Sequence, residues 1–149
     1  MTDANPSPAT ESLPPAIPMA DVGPQIQSAA RWFWWIAGLS AVNTVMSLMG
    51  SDTNFVLGLG FTALVDAIFA NLRIVGVGIN LLAIGFFFAM GWLGRRGALW
   101  AFVLGMVMYT LDGLIYLLLG DMMPVAFHAL ALYFLGVGAF QLRQSRRAA

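Results

Sequence analysis

The chain contains one acid and one histidine at positions where they could do chemistry inside apolar sequence. They are Asp112 and His128, the only histidine, and each lies in a run that is predicted to span a membrane. An ionisable side chain in hydrocarbon costs roughly 2.5 kcal/mol or more, so each residue is a functional candidate by default. A histidine beside a carboxylate can bind a proton, a cation or a small solute and respond to pH.

Further polar residues are expected near the same depth, in the outer, non-cytoplasmic half of the membrane. They are Asn43, Asn80, Tyr109 and, if the segment 54–71 dips inward, Asp66. With a rise of about 1.5 Å per residue, the two asparagines and Asp112 each lie about 10 Å inside the outer end of their helix. Tyr109 shares a helix face with Asp112. The sequence therefore predicts a polar cluster in which Asp112 and His128 pair directly, or through Tyr109 or a water.

Two interpretations of this cluster stay open. In the first, the polar groups are contacts between helices, each satisfied by a neighbour and worth about 1 kcal/mol. In the second, they line an outward-open site for a proton, cation or small solute. The first is favoured, because polar groups inside a membrane need partners whether or not anything binds.

Catalysis is disfavoured because the parts that an enzyme needs are missing from the sequence. There is no nucleophilic serine in a suitable motif, no metal-ligand spacing such as His-Glu-x-x-His and no phosphate-binding loop. The short Gly-x-Gly pairs at Gly58 and Gly76 are not nucleotide fingerprints. We therefore predict no enzymatic activity, no cofactor and no metal site.

The composition identifies lipid as the solvent for most of the chain. Hydrophobic residues make up 60% and charged residues 9% of its 149 positions, whereas charged residues are about a quarter of a soluble domain. All basic residues are arginines, and most lie at the ends of apolar runs. That placement indicates membrane orientation rather than binding to nucleic acid. With no cysteine in the chain, disulfides and thiolate chemistry are excluded.

These observations predict an all-α transmembrane bundle, residues 31–142, between two polar tails. Residues 1–30 are proline-rich and are expected to be a disordered cytoplasmic tail, and residues 143–149 form a basic cytoplasmic tail. The four spans are predicted at about 32–50, 73–93, 98–119 and 124–142. Residues 54–71 are short for a crossing that needs about 20 residues, and we expect an interfacial or re-entrant helix there.

The arginines decide between four spans and five. If residues 54–71 cross, Arg95 and the C-terminal arginines lie opposite Arg31. If they do not cross, six of the seven arginines lie on one side and Arg73 is the exception. Arginine and lysine accumulate on the cytoplasmic side of short loops, so four spans with both termini in the cytoplasm are favoured over five.

Two strings of the sequence resemble stretches of small uncharacterised bacterial multi-span membrane proteins. One runs from Phe55 to Gly60 and continues at Asp66-Ala67-Ile68, and the other is Tyr109-Thr110-Leu111-Asp112-Gly113. The resemblance covers the membrane part of the chain and implies a polytopic protein of a bacterial cytoplasmic (inner) membrane. It implies no activity and assigns no site residues.

The favoured function is therefore a non-catalytic structural or partner-binding membrane bundle. Its expected partners are the lipid bilayer and another membrane protein or a second copy of the chain. The alternative is a binding, transport or pH-sensing module that uses Asp112 and His128. Because four short helices rarely enclose a path alone, transport would imply an oligomer.

Overall fold

The computed structural model describes residues 22–50 and 58–148, and this part of the chain is helical without strands. The helices are α1 (Pro24–Leu48), α2 (Gly60–Ile68), α3 (Arg73–Arg95), α4 (Leu99–Leu119) and α5 (Met122–Ala148). Helices α3, α4 and α5 are long and apolar enough to cross a membrane. The predicted all-α fold is thus confirmed for the described residues, and three of its helices have the length and composition of a membrane span.

The four long helices form an antiparallel ring, and the short α2 lies at one end of it. Helix α1 packs on α3 and α5, and α4 packs on the same two helices. We call the end that holds α2, Asp66, Asp112 and Asp121 the polar end. The opposite end, called the arginine end, holds all the arginines except Arg73: Arg31, Arg95, Arg96, Arg143, Arg146 and Arg147.

Tight turns between the long helices depend on glycines in the left-handed conformation. Gly97 has φ of 80° between α3 and α4, and Gly120 has φ of 77° after α4. A residue with a Cβ is strained at such angles, and glycine is the usual residue just after a helix. These two turns place α4 antiparallel to both of its neighbours.

The bundle begins before the predicted end of the N-terminal tail. Helix α1 starts at Pro24, inside the segment 1–30 that was expected to be disordered, and residues 1–21 lie outside the described part. Ile26, Ala29 and Ala30 are buried in the core. These apolar residues lie within the proline-rich segment, and their burial extends α1 towards the N-terminus, ahead of the apolar run that begins at Trp32.

The C-terminal boundary also differs from the prediction. Helix α5 runs as far as Ala148, so the basic segment 143–149 is helical over almost all of its length. Leu142 is buried, and Arg146 donates a hydrogen bond to the carbonyl of Gly97 in the α3–α4 turn. Arginines in a last helical turn also interact favourably with the helix dipole.

The short helix α2 lies within the predicted segment 54–71, of which residues 54–57 are outside the described part. It has nine residues, which gives a length of about 14 Å. The hydrocarbon core of a bilayer is about 30 Å thick. Helix α2 is therefore too short to cross it.

The half of the bundle towards the arginine end has an aromatic core. The ring of Phe33 lies 5.8 Å from the ring of Phe102 and 6.4 Å from that of Phe87. A Cβ on Gly105 would overlap the Phe33 ring. The absence of a side chain on α4 at this point lets the diagonal pair α1 and α4 approach across the ring.

Candidate functional site

Asp112 caps a helix to which it does not belong. Its Oδ2 accepts the backbone N–H of Gly60 at 2.9 Å, and its Oδ1 accepts that of Phe61 at 2.8 Å. The first N–H groups of any helix lack partners within it, and a carboxylate there is favoured by the helix dipole. Helix α2 has no capping side chain of its own. The carboxylate of α4 therefore supplies the cap of α2 from 52 positions away in sequence.

His128 contacts Asp112 directly, one of the arrangements left open by the sequence. Its Nε2 lies 2.9 Å from Asp112 Oδ2, and its Nδ1 lies 2.8 Å from the carbonyl oxygen of Pro124. A carbonyl oxygen can only accept, so Nδ1 carries a proton. The Nε2–Oδ2 contact then holds one more proton, either on the imidazole or on the carboxyl. The pair has no net charge in both cases.

The pair is enclosed by tyrosine side chains of α4. Exposed fractions are 5% for Asp112 and 2% for His128. The Tyr109 ring stacks on the imidazole at a centroid distance of 4.1 Å, and the Tyr116 ring is tilted against it at 5.6 Å. A bridge through Tyr109 was one of the alternatives left open, and in the structure the Tyr109 ring stacks on His128 instead.

The backbone that leads into α2 is held from two sides. From α4, the hydroxyl of Tyr116 donates to the carbonyl of Gly58 at 3.2 Å. From α1, the hydroxyl of Ser40 accepts the N–H of Leu59 at 3.1 Å. The Asn43 side chain also lies against Gly58, where a Cβ would overlap it. Side chains of α1 and α4 thus fix the start of α2.

The remaining two predicted residues form a separate contact beside α2. Asn80 Nδ2 donates to Asp66 Oδ1 at 2.7 Å, which joins α3 to α2. The oxygen Oδ1 of Asn80 and the hydroxyl of Tyr109 are buried without a hydrogen-bond partner among the described residues. All six predicted residues therefore lie around α2, in two groups rather than one.

Sequence reasoning missed Ser40, Tyr116 and the N–H groups of Gly60 and Phe61 as members of the cluster. Ser40 lies on the polar face of α1 with Asn43, and Tyr116 lies one turn from Asp112, so helical spacing could have identified both side chains from the sequence. No sequence pattern could have identified the backbone donors, because every residue except proline carries an N–H.

The cavities near the cluster do not form an outward-open site around the pair. A cavity of about 90 Å³ is lined by Thr44, Asp66 and Arg73 among others, and neither Asp112 nor His128 reaches it. An apolar cleft of about 330 Å³ lies between α2, α3 and α4. Asp112 is on the wall of that cleft, but both of its oxygens face protein donors. Within the described residues there is no group of three or more potential metal ligands.

Comparison with known proteins gives no relative to set beside this cluster. No family model matches the chain, and no curated protein or solved structure matches it.

Proposed function

We propose that the protein is an integral membrane protein that crosses the bilayer four times, with the arginine end and both termini in the cytoplasm. Its role is that of a non-catalytic structural or partner-binding bundle. The resemblance of its sequence strings points to a bacterial cytoplasmic membrane. Three of the crossings are the apolar helices α3, α4 and α5.

Helix α1 is the fourth crossing because it lies alongside α3. Near the arginine end a Cβ on Gly91 would meet the Ala30 carbonyl at 3.2 Å, and towards the polar end Thr44 and Gly76 line one cavity. Its 25 residues are about 37 Å long. The polar residues that lower its hydropathy include Ser40, Asn43 and Thr44, and these three are buried inside the bundle. A helix of this length beside a membrane-spanning neighbour crosses with it.

The observation that carries the non-catalytic role is the complete internal use of the Asp112–His128 pair. Both carboxylate oxygens and both ring nitrogens contact groups of the protein itself. A binding site keeps polar atoms available for its ligand. This arrangement therefore supports a structural role, in which the pair holds α2 in the bundle.

The outward faces of the helices supply the surface for lipid or a membrane partner. On α4 the exposed apolar side chains recur at spacings of three and four: Trp100, Val103, Val107, Leu111, Leu114 and Leu118. Such a stripe suits the hydrocarbon of a bilayer or an apolar helix of another chain.

The four-span topology is tested with single cysteines, since the chain has none of its own. Asp52→Cys, Arg73→Cys and Arg95→Cys would each be treated with an impermeant thiol reagent in intact cells. We expect labelling of Asp52→Cys and Arg73→Cys, and protection of Arg95→Cys until the membrane is permeabilised. The reverse pattern would contradict the proposed orientation.

A second candidate function, proton or cation transport, is favoured by one observation, the direct contact of 2.9 Å between His128 Nε2 and Asp112 Oδ2. The two candidates are separated by measuring proton and cation flux into liposomes that contain the purified protein. We expect no flux above that of empty liposomes, with wild type and Asp112→Asn alike. A flux that Asp112→Asn abolishes would establish the transport function instead.

A further inference from the structure

We infer that the arginine end contains a binding site for the headgroup of an anionic phospholipid, in the cleft formed by Gln27, Trp92, Arg95 and Arg96. This cleft has a volume of about 320 Å³. The inference rests on the proposed membrane location of the bundle, and it assigns a ligand class to a surface that the polar cluster does not involve.

Among the described residues, the charges around the cleft are of one sign. The acids of the described residues are Asp66, Asp112 and Asp121, and all three lie at the polar end. The guanidinium groups of Arg95 and Arg96 have no ion pair or hydrogen bond to any described residue, whereas Arg146 donates to the Gly97 carbonyl. The cleft therefore attracts an anion and offers it unused donors.

Tryptophans hold the two guanidinium groups in place. The Cζ of Arg96 lies 3.6 Å from the centre of the Trp92 ring, and the Cζ of Arg95 lies 4.8 Å from that of Trp34. A guanidinium over an aromatic ring forms a cation–π contact, and the N–H groups of both arginines have no acceptor among the described residues. Those N–H groups match the oxygens of a phosphate in pairs.

The indole of Trp34 is itself fixed by α3. Its Nε1 donates to the Phe88 carbonyl at 3.1 Å, and its ring stacks on the Phe88 ring at 5.4 Å. A Cβ on Gly91 would come within 2.5 Å of the indole, so the glycine makes room for it. The position of Arg95 is thus set by packing between α1 and α3.

A phospholipid is the occupant that fits both the charge and the surroundings. All five tryptophans of the chain lie towards this end, and tryptophan marks the headgroup level of membranes. Basic pockets between transmembrane helices on the cytoplasmic side bind anionic headgroups. An anionic lipid would place its phosphate between Arg95 and Arg96 and its acyl chains along the apolar surface of the bundle.

The test compares lipids bound to the full chain in a neutral detergent, counted by native mass spectrometry during titration with phosphatidylglycerol or phosphatidylcholine. We expect the wild type to retain phosphatidylglycerol in preference to phosphatidylcholine. The double variant Arg95→Gln/Arg96→Gln should bind phosphatidylglycerol about thirtyfold more weakly. No preference in the wild type would overturn the inference.

The matched control is Arg143→Gln/Arg147→Gln, which removes the same charge from the same end but away from the cleft. We expect it to bind phosphatidylglycerol within about threefold of the wild type. Equal weakening in both double variants would mean diffuse attraction and would overturn the site.

A charge-preserving variant decides the matter if the glutamine pair does not fold. Arg95→Lys/Arg96→Lys keeps the charge but lacks the planar fork, so its affinity should fall below that of the wild type. Wild-type affinity in this variant would contradict the proposed geometry. The cysteine-labelling experiment tests orientation independently, so a failed topology and a failed lipid site give different results.

Discussion

The two ends of the bundle use charged side chains in opposite ways. At the polar end, Asp112 and His128 are buried and their polar atoms bind each other and the backbone. At the arginine end, Arg95 and Arg96 are exposed and oriented by aromatic rings, without an acceptor among the described residues. The difference teaches that charge is structural where the protein itself supplies the counterpart, and available to a ligand where it does not.

The largest expected effect is that of Asp112→Ala. The change leaves two N–H groups of α2 without an acceptor and the His128 Nε2 without its partner, and removal of one member of a buried charged pair costs about 3–5 kcal/mol. We expect a loss of this size in the free energy of unfolding, measured by denaturation in detergent. Asp121→Ala is the control, since Asp121 is exposed at the same end. Equal losses in the two variants would mean that the cap on α2 contributes nothing.

The next effect concerns the aromatic half of the bundle. Gly105→Ala would push the Phe33 ring out of its place, and overpacking of this kind costs about 1–3 kcal/mol. Gly85→Ala is the matched control, because no atom lies within 4 Å of the added Cβ. Thermal unfolding of both variants should show a destabilised Gly105→Ala beside a neutral or slightly stabilised Gly85→Ala. Similar midpoints would contradict the close approach of α1 and α4.

A smaller effect is expected from Tyr116→Phe. The variant keeps the ring but removes the donor to the Gly58 carbonyl, a loss of about 1 kcal/mol. Hydrogen exchange followed by mass spectrometry should show faster exchange in residues 58–68 and little change in α5. Tyr133→Phe serves for comparison, since Tyr133 is 66% exposed. If residues 58–68 exchange at the same rate in both variants, the Tyr116 hydrogen bond does not hold α2 in place.

The smallest effect should come from Arg96→Gln at the arginine end. An exposed cation–π contact contributes about 0.5–1 kcal/mol, so the unfolding midpoint should shift only slightly. The measurement is made in detergent without added lipid, beside Arg143→Gln. A loss as large as that of Asp112→Ala would erase the contrast between the two ends.

The sequence was sufficient to predict the helical fold and to place the polar residues in one half of the bundle. Apolar runs and polar faces are local patterns, so they placed Asn43, Asn80, Asp112 and His128 in the same half of the bundle. The buried polar side chains of the described residues do lie in that half. The pairing of Asp66 with Asn80 was not predicted, because it depends on how α2 docks on α3.

The role of Asp112 as a cap could not be predicted for a physical reason. Its partners are backbone groups of Gly60 and Phe61, and their types say nothing about which acceptor they meet. The start of α1 could not be predicted from the sequence either, because Ile26 and Ala29 are buried only where other helices of the bundle provide a surface for them. Tertiary contacts decided both features.

The cap that α4 gives to α2 has a consequence for biosynthesis. A helix of nine residues is not stable alone in water, and Asp112 is made 52 positions after Gly60. At about 5–20 residues per second, the ribosome needs roughly 3–10 s to produce that interval. Until then, the N–H groups of Gly60 and Phe61 are without this acceptor. Docking of α2 through this contact therefore requires that Asp112 of α4 has been synthesised, and a chain truncated before Asp112 would leave this segment open to proteolysis.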